Sequence, residues 1–255
     1  MLYRLIVGNF SSFAEQVQFD MFPNLKRENF THHVYNDEEK IPVLKTCALY
    51  GANGSGKSNF ISALKFIKSF ATEFNLGSDP ESIISFFKSS RFKLPVQEGS
   101  PMSFLIEFGN EAATYIYTFE INETGIIDET LYLSGLGKAE SIPLLSRQLS
   151  TITFSNKIAT KEIIDIIERQ LKANPSLSAL SIIGKLRLID NHYINDAFVW
   201  LDTQLEIIEV SHQIPWLIEQ LNHQPDVMAF VKNVFSNIGL GIKDLSIETN
   251  LSKNG

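Results

Sequence analysis

The spacing of apolar residues changes several times along the chain, and each change predicts an element. Residues 2–8 and 16–22 read as two strands separated by the turn-like Asn9-Phe10-Ser11-Ser12. Residues 23–42 are polar, with His32-His33 and the run Asp37-Glu38-Glu39, and predict an exposed loop. Thr46 to Tyr50 is a short apolar run ending at a glycine, the pattern of a buried strand. After Gly56 the period becomes helical, with Phe60, Leu64, Ile67 and Ala71 on one face. Ser78-Asp79-Pro80-Glu81 offers the start of a second helix, whose stripe is Ile83, Ile84 and Phe87.

From residue 102 the period falls to two. Met102, Phe104, Ile106 and Phe108 alternate with other residues, as do Tyr115, Tyr117, Phe119 and Ile121 beyond the turn at 109–111. This predicts a β-hairpin with aromatic pairs on one face, extended by a third strand over 126–133 and shorter strands near 142–146 and 151–155. From Thr160 to about residue 237 the pattern is helical again. Ile163, Ile166, Ile167 and Leu171 form one stripe; Ile194, Ala197, Phe198, Leu201, Leu205 and Ile208 form a longer one. A last strand is predicted over 242–248. The expected organisation is an α/β lobe with an antiparallel sheet over 1–159, a helical insertion over 160–237, and a return strand within 238–255.

Composition adds limits. The 255 residues are 44% hydrophobic and 20% charged, ordinary for a globular domain and incompatible with general disorder. Against 29 acidic side chains there are 22 basic ones, so the net charge of −7 disfavours broad adhesion to nucleic acid or anionic membranes. The single cysteine, Cys47, excludes an intrachain disulfide; its place in the apolar run predicts a buried small hydrophobe. No run reaches the roughly 18 apolar residues of a membrane span. A cytoplasmic protein without membrane contact is the expectation.

The chemistry is concentrated in Gly51, Ala52, Asn53, Gly54, Ser55, Gly56, Lys57 and Ser58, which fit G-x-x-x-x-G-K-[ST] between a predicted strand and a predicted helix. Glycines let such a loop wrap so that backbone N–H groups converge on phosphate oxygens. The helix behind it presents its positive end to the same anion. Lys57 then places charge on the β- and γ-phosphates, the expected catalytic role, and the Ser58 hydroxyl suits a Mg²⁺ ligand. The competing reading is a glycine-rich turn that caps a helix by chance. ATP and Mg²⁺ are the expected cofactors, with Gly51 to Asn59 as the nucleotide-binding segment.

These residues carry a resemblance. Leu5-Ile6-Val7-Gly8-Asn9-Phe10-Ser11-Ser12-Phe13, then Leu49 to Asn59, resemble the N-terminal half of SMC-like ABC ATPases. Within them the chain is most similar to the bacterial group of OLD, Septu and retron-associated predicted ATPases. The segments 103–108, 115–117 and 129–132 resemble that group's antiparallel strands. The resemblance implies an ATPase head with two lobes, a helical insertion, and ATP sandwiched between two heads in a homodimer or higher oligomer. It implies an effector nuclease or toxin as partner, and it brings the region near Asn9 and Phe10 toward adenine or ribose. From the residues alone, Asn9 and Phe10 read as turn and core.

Other parts of a complete ATPase are not found by pattern. The acidic strand end that would hold the Mg²⁺ shell is imitated at Leu186 to Asp190 and at Phe198 to Asp202, but helical spacing surrounds the second and Thr203 replaces the glutamate. Leu133-Ser134-Gly135-Leu136-Gly137 imitates an ABC signature and reads as a turn at a strand end. Gln148 and Gln97 are both candidates for a switch glutamine. His192, His212 and His223 have no metal-ligand spacing. Lys88, Arg91 and Lys93, interleaved with Phe86, Phe87 and Phe92, read as a solvated helix end or as a nucleic-acid contact. The expectation is the N-terminal part of a longer protein: a truncated or cleaved form, or a chain whose second lobe lies elsewhere. Three functions follow: a dimerising head that controls an effector in anti-phage defence, a DNA-engaging repair ATPase, or a nucleotide-gated scaffold with little turnover.

Overall fold

A computed structural model describes residues 1–24, 26, 29, 31–35, 41–73, 81–94, 99–110, 112–155, 158–208, 215–238 and 244–246. They form two compact units, 1–207 and 208–255. The first is built on a seven-stranded sheet. Its strands are β1 (Leu2–Gly8), β2 (Val17–Asp20), β5 (Met102–Gly109), β6 (Thr114–Asn122), β7 (Gly125–Leu133), β8 (Ile142–Gln148) and β9 (Thr151–Phe154). The order is β2-β1-β5-β6-β7-β8-β9, and every pairing is antiparallel. Two short strands, β3 (Val34–Tyr35) and β4 (Val43–Leu44), pair separately.

The period-two pattern explains the sheet's two faces. Tyr3, Leu5 and Val7 of β1, Phe104, Ile106 and Phe108 of β5, and Tyr115, Tyr117 and Phe119 of β6 are all buried on one face. Opposed aromatic pairs meet there, Phe104 with Phe119 at 5.0 Å and Phe108 with Tyr115 at 5.7 Å between ring centroids. The predicted turn at 109–111 is supported by Asn110, whose Oδ1 accepts from the Ala112 and Ala113 amides at 2.9 and 3.0 Å.

Helices cover this face. α1 (Lys57–Thr72) buries Ala63, Leu64, Ile67, Phe70 and Ala71, and Phe60 of the same stripe meets Phe19 of β2. α2 (Glu81–Ser90) adds Phe86, which stacks on Phe66 with centroids 3.8 Å apart. Beyond them lie α3 (Lys161–Ala173), α4 (Ala179–Leu186) and α5 (His192–Val199), and α5 continues as a π-helical turn over Trp200–Gln204. Trp200 stacks on Phe108 at 4.5 Å. In α3, Ile167 and Leu171 are buried whereas Ile166, placed in the same stripe by its spacing, is 40% exposed. Ile208, the end of the longer predicted stripe, is exposed because the helix ends at Gln204. The second unit contains α6 (Pro215–His223) and α7 (Pro225–Asn237), which pack on each other, and an ion pair of 2.7 Å between Lys232 and Asp244.

A buried polar knot ties the helices to the sheet. Glu129 is fully buried in β7, and its carboxylate accepts from Tyr117 Oη at 2.9 Å and Arg147 Nη1 at 3.2 Å. The same carboxylate accepts from the first two amides of α4, Ala179 at 2.8 Å and Leu180 at 3.1 Å. A negative charge at that end complements the helix dipole and satisfies donors that have no intrahelical partner. Arg147 also donates to the carbonyls of Leu149, Pro175 and Leu177. Ser178 completes the cap by accepting from the Ser181 amide at 2.8 Å. Burial, then the Glu129 charge, pushes the Tyr117 hydroxyl well above its usual range and keeps it a donor.

Three expectations are corrected. Thr46 to Tyr50 is not a strand, and Leu49 and Tyr50 are 43% and 92% exposed. A strand needs a neighbour for its ladder, and β4 ends at Leu44 before this run begins. Cys47 within the same run is exposed, not buried. Of the strand predicted over 242–248, residues 244–246 are non-regular and the others lie outside the described residues.

Candidate functional site: a phosphate-binding loop

The sequence from Gly51 to Ser58 forms a tight loop that runs into α1. Gly54 and Gly56 have φ of 81° and 93°, the left-handed region in which a Cβ is strained. At Gly56 space is closed as well: a Cβ would stand 2.9 Å from the Phe13 ring and 3.0 Å from Ser12 Oγ. At Gly51 it would stand 2.6 Å from Ser55 Oγ.

Lys57 is the first residue of α1, and its side chain turns back across the loop. Nζ donates to the carbonyls of Gly51 at 2.7 Å and Ala52 at 2.8 Å, and it lies 3.5 Å from Ser55 Oγ. The cation therefore stands over the loop that would hold phosphate. Gly56, the residue capping α1, contributes no side-chain acceptor to the helix's opening amides. Free amides, a helix N-terminus and one ammonium group form a site for an anion. The residues fit ATP and Mg²⁺: the loop amides and Lys57 would hold the phosphates, and Ser58, exposed one residue on, would offer its hydroxyl to the metal.

Asn59 does not face the loop alone. Its Nδ2 donates to Ser12 Oγ at 2.8 Å, which joins the start of α1 to the turn after β1. In that turn Phe10 is buried, in contact with Phe104 at 5.5 Å and Phe86 at 6.2 Å. Asn9 holds the turn by donating to the Ser100 carbonyl at 2.7 Å. Their reading as turn and core residues agrees with this geometry.

The remaining candidates fall away from the loop. Asp202 lies in the π-helical turn and pairs with Lys185 at 3.0 Å. That turn is tied to the far half of α1, where Lys68 Nζ donates to the Leu205 carbonyl at 2.6 Å. At 1.5 Å per residue, Lys68 is about 16 Å along the helix from Lys57. Asp190 is exposed in the connection before α5. Leu133 ends β7, and a turn follows the strand end, with φ of 49° at Leu136 and 72° at Gly137. Gln148 is exposed at the end of β8, opposite Asp128 and Thr151. It points away from the face that α1 covers, because its neighbour Arg147 is buried on that face. Gln97 and His212 lie outside the described residues. His192 packs on Tyr193, and among the described residues no cluster of His, Cys, Asp or Glu could hold a metal.

The cations of the basic segment are exposed, but its aromatics are not a stacking platform. Phe87 is buried, Phe86 packs into the core and Arg91 lies over the Phe87 ring at 5.9 Å. Lys93 donates to the carbonyl of Lys88, so a solvated helix end describes it.

Pattern reasoning missed two constellations. Ser12 was read as part of a turn and Phe13 only as the end of the segment that carries the resemblance, and no local signal tells which loop a turn will touch. Glu129 and Arg147 did carry a signal: each is a charge in phase with the apolar positions Leu131 and Leu145, where only a paired ion is tolerable.

An α/β fold with a phosphate-binding loop opening a helix over a largely antiparallel sheet defines a P-loop ATPase-type domain. The sequence pattern of the family described as "AAA domain, putative AbiEii toxin, Type IV TA system" matches residues 47–218, and the chain belongs to that family. A search of curated proteins finds no match. Among the described residues no helix is long and apolar enough to cross a membrane.

Proposed function

We propose that this chain is an ATP-binding and hydrolysing head that dimerises on ATP and governs an associated effector, a nuclease or toxin, in bacterial defence against phage. The observation that carries the reading is the loop itself. Two left-handed glycines and a lysine folded back over the loop carbonyls leave the first amides of α1 for a ligand. Bound ATP would bring the phosphoanhydride and Mg²⁺ the charge that bridges its phosphates. The chain's own part is to cradle the phosphates with loop amides, offset their charge with Lys57 and ligate the metal with Ser58. The family description names a putative AbiEii toxin and a Type IV TA system, which supports an effector-linked role over a repair role. The buried Phe87 and the partly buried Phe86, packed against the core, also speak against a DNA-stacking surface at the basic segment.

Hydrolysis needs an acid beside the metal and groups that enclose the γ-phosphate. Asp202 is paired with Lys185 and Asp190 lies in the connection before α5, so in this reading a facing head or second lobe brings these groups to the loop. Lys57→Ala tests the reading directly. Its side chain bonds only within an exposed loop, so the fold should persist with an unchanged melting temperature while Mg·ATP binding falls at least tenfold. Wild-type affinity in a folded Lys57→Ala protein would falsify the assignment. Sedimentation with and without ATP tests dimerisation: the sedimentation coefficient should rise with ATP in the wild type and stay constant in the variant.

A further inference from the structure

The five residues that leave β1 are held from two sides. Asn9 and Ser11 both adopt left-handed backbone, with φ of 51° and 50°. Such conformations in non-glycine residues persist only where their surroundings over-determine them. Here they do. The amides and carbonyls of Phe10 and Phe13 bond reciprocally at 3.0 and 2.8 Å, and the Ser11 amide donates to the Ser90 carbonyl at 2.6 Å. The Phe92 amide donates to the Asn9 carbonyl, and Asn9 Nδ2 to that of Ser100. The turn is thereby fixed to the end of α2 and to the approach to β5.

Its other side meets the phosphate loop. Ser12 Oγ accepts from Asn59 Nδ2 at 2.8 Å, and the Phe13 ring closes the space beside the Gly56 Cα. No side chain of the Gly56 cap holds the first turn of α1, so these two contacts take that place.

We propose that Ser12 and Phe13 are positioning residues of the phosphate loop. They fix Gly56, and so the opening amides of α1, without touching the nucleotide. The proposal rests on the reading of Gly51 to Ser58 as the ATP site. It differs from a nucleoside contact in one measurable respect. A residue that positions the cradle affects every ligand of the cradle, including one without base or ribose.

The test is calorimetric titration of the protein with Mg·ATP and with Mg·pyrophosphate, alongside thermal melts. Ser12→Ala should weaken both ligands by about fivefold, the worth of one neutral hydrogen bond. Phe13→Ala should weaken both by about tenfold, and Ser12→Thr, which keeps the hydroxyl, should restore wild-type binding. Ser12 is exposed, so its variant keeps the melting temperature and carries the test even where Phe13→Ala does not fold. Unchanged affinities in Ser12→Ala would overturn the proposal. So would a loss for ATP with pyrophosphate binding unaltered or undetectable, because the turn would then contact the nucleoside. Lys57→Ala separates the two levels: if it binds both ligands as the wild type does, the ATP-site reading fails whatever the turn does.

Discussion

The ammonium of Lys57 and the hydroxyl of Ser58 are adjacent, yet they should fail differently. In the proposed function Lys57 acts through charge on the phosphates, whereas Ser58 acts through the metal. Ser58→Ala should therefore weaken ATP binding several-fold in the presence of Mg²⁺ and little in EDTA. Equal losses under both conditions would give the hydroxyl another task. Asp128, on the outer side of β7, offers a pH test away from this site. Burial first, and the neighbouring Glu129 second, raise its carboxyl pKa above the ordinary 3.8. Between 3.8 and that raised value the folded protein binds more protons than the unfolded chain, so stability falls as pH rises through the interval. Asp128→Asn removes this slope. Its melting temperature should exceed that of the wild type at pH 7, and the advantage should shrink as pH falls through the raised value toward 3.8. A constant difference across that range would show that the Asp128 charge is not what matters.

Between elements, the decisive contact is Glu129 with Arg147 and α4. Glu129→Gln keeps the shape but leaves the Arg147 guanidinium, 1% exposed, without a counter-charge. Breaking a buried pair from one side costs about 3–5 kcal/mol. The expected loss in a urea titration is of that size, and a change below about 1 kcal/mol would show that water or rearrangement compensates. This knot also shows what the sequence could reveal. The hairpin 102–121 was legible because strict alternation of aromatics leaves one solution, and α1 was legible from Leu64, Ile67 and Ala71. The run 46–50 looked identical to a buried strand because apolarity reports only that a segment prefers cover. It does not report whether a neighbouring strand provides it. The π-helical turn at 200–204 was likewise invisible, since Leu201 and Leu205 satisfy a helical period whether hydrogen bonds span four residues or five.

At the scale of the molecule, the glycine-rich loop opening α1 was readable because its pattern is local: eight consecutive residues carry it. Transition-state stabilisation is not local. It depends on charges brought from distant segments, and no spacing rule predicts which acid will arrive. In the described structure the loop is open to solvent, with Gly51 to Ser55 all exposed. The segment leading into it presents Leu49 and Tyr50 outward, an apolar surface beside the loop. Burying such area stabilises an interface by roughly 25 cal/mol per Å². A facing head that covers this region would exclude water from the γ-phosphate and supply the missing charges in one step. The consequence is kinetic. If the site is completed by a second copy, ATP turnover per mole of this chain should be negligible when dilute and rise with protein concentration toward a plateau. Mixing wild type with excess Lys57→Ala should alter the specific rate, because each mixed dimer pairs a competent loop with a disabled one. Turnover at a constant specific rate across the dilution series, unaffected by the mixed variant, would place the catalytic acid within a single chain. Asp190 and Asp202 would then be the first carboxylates to replace.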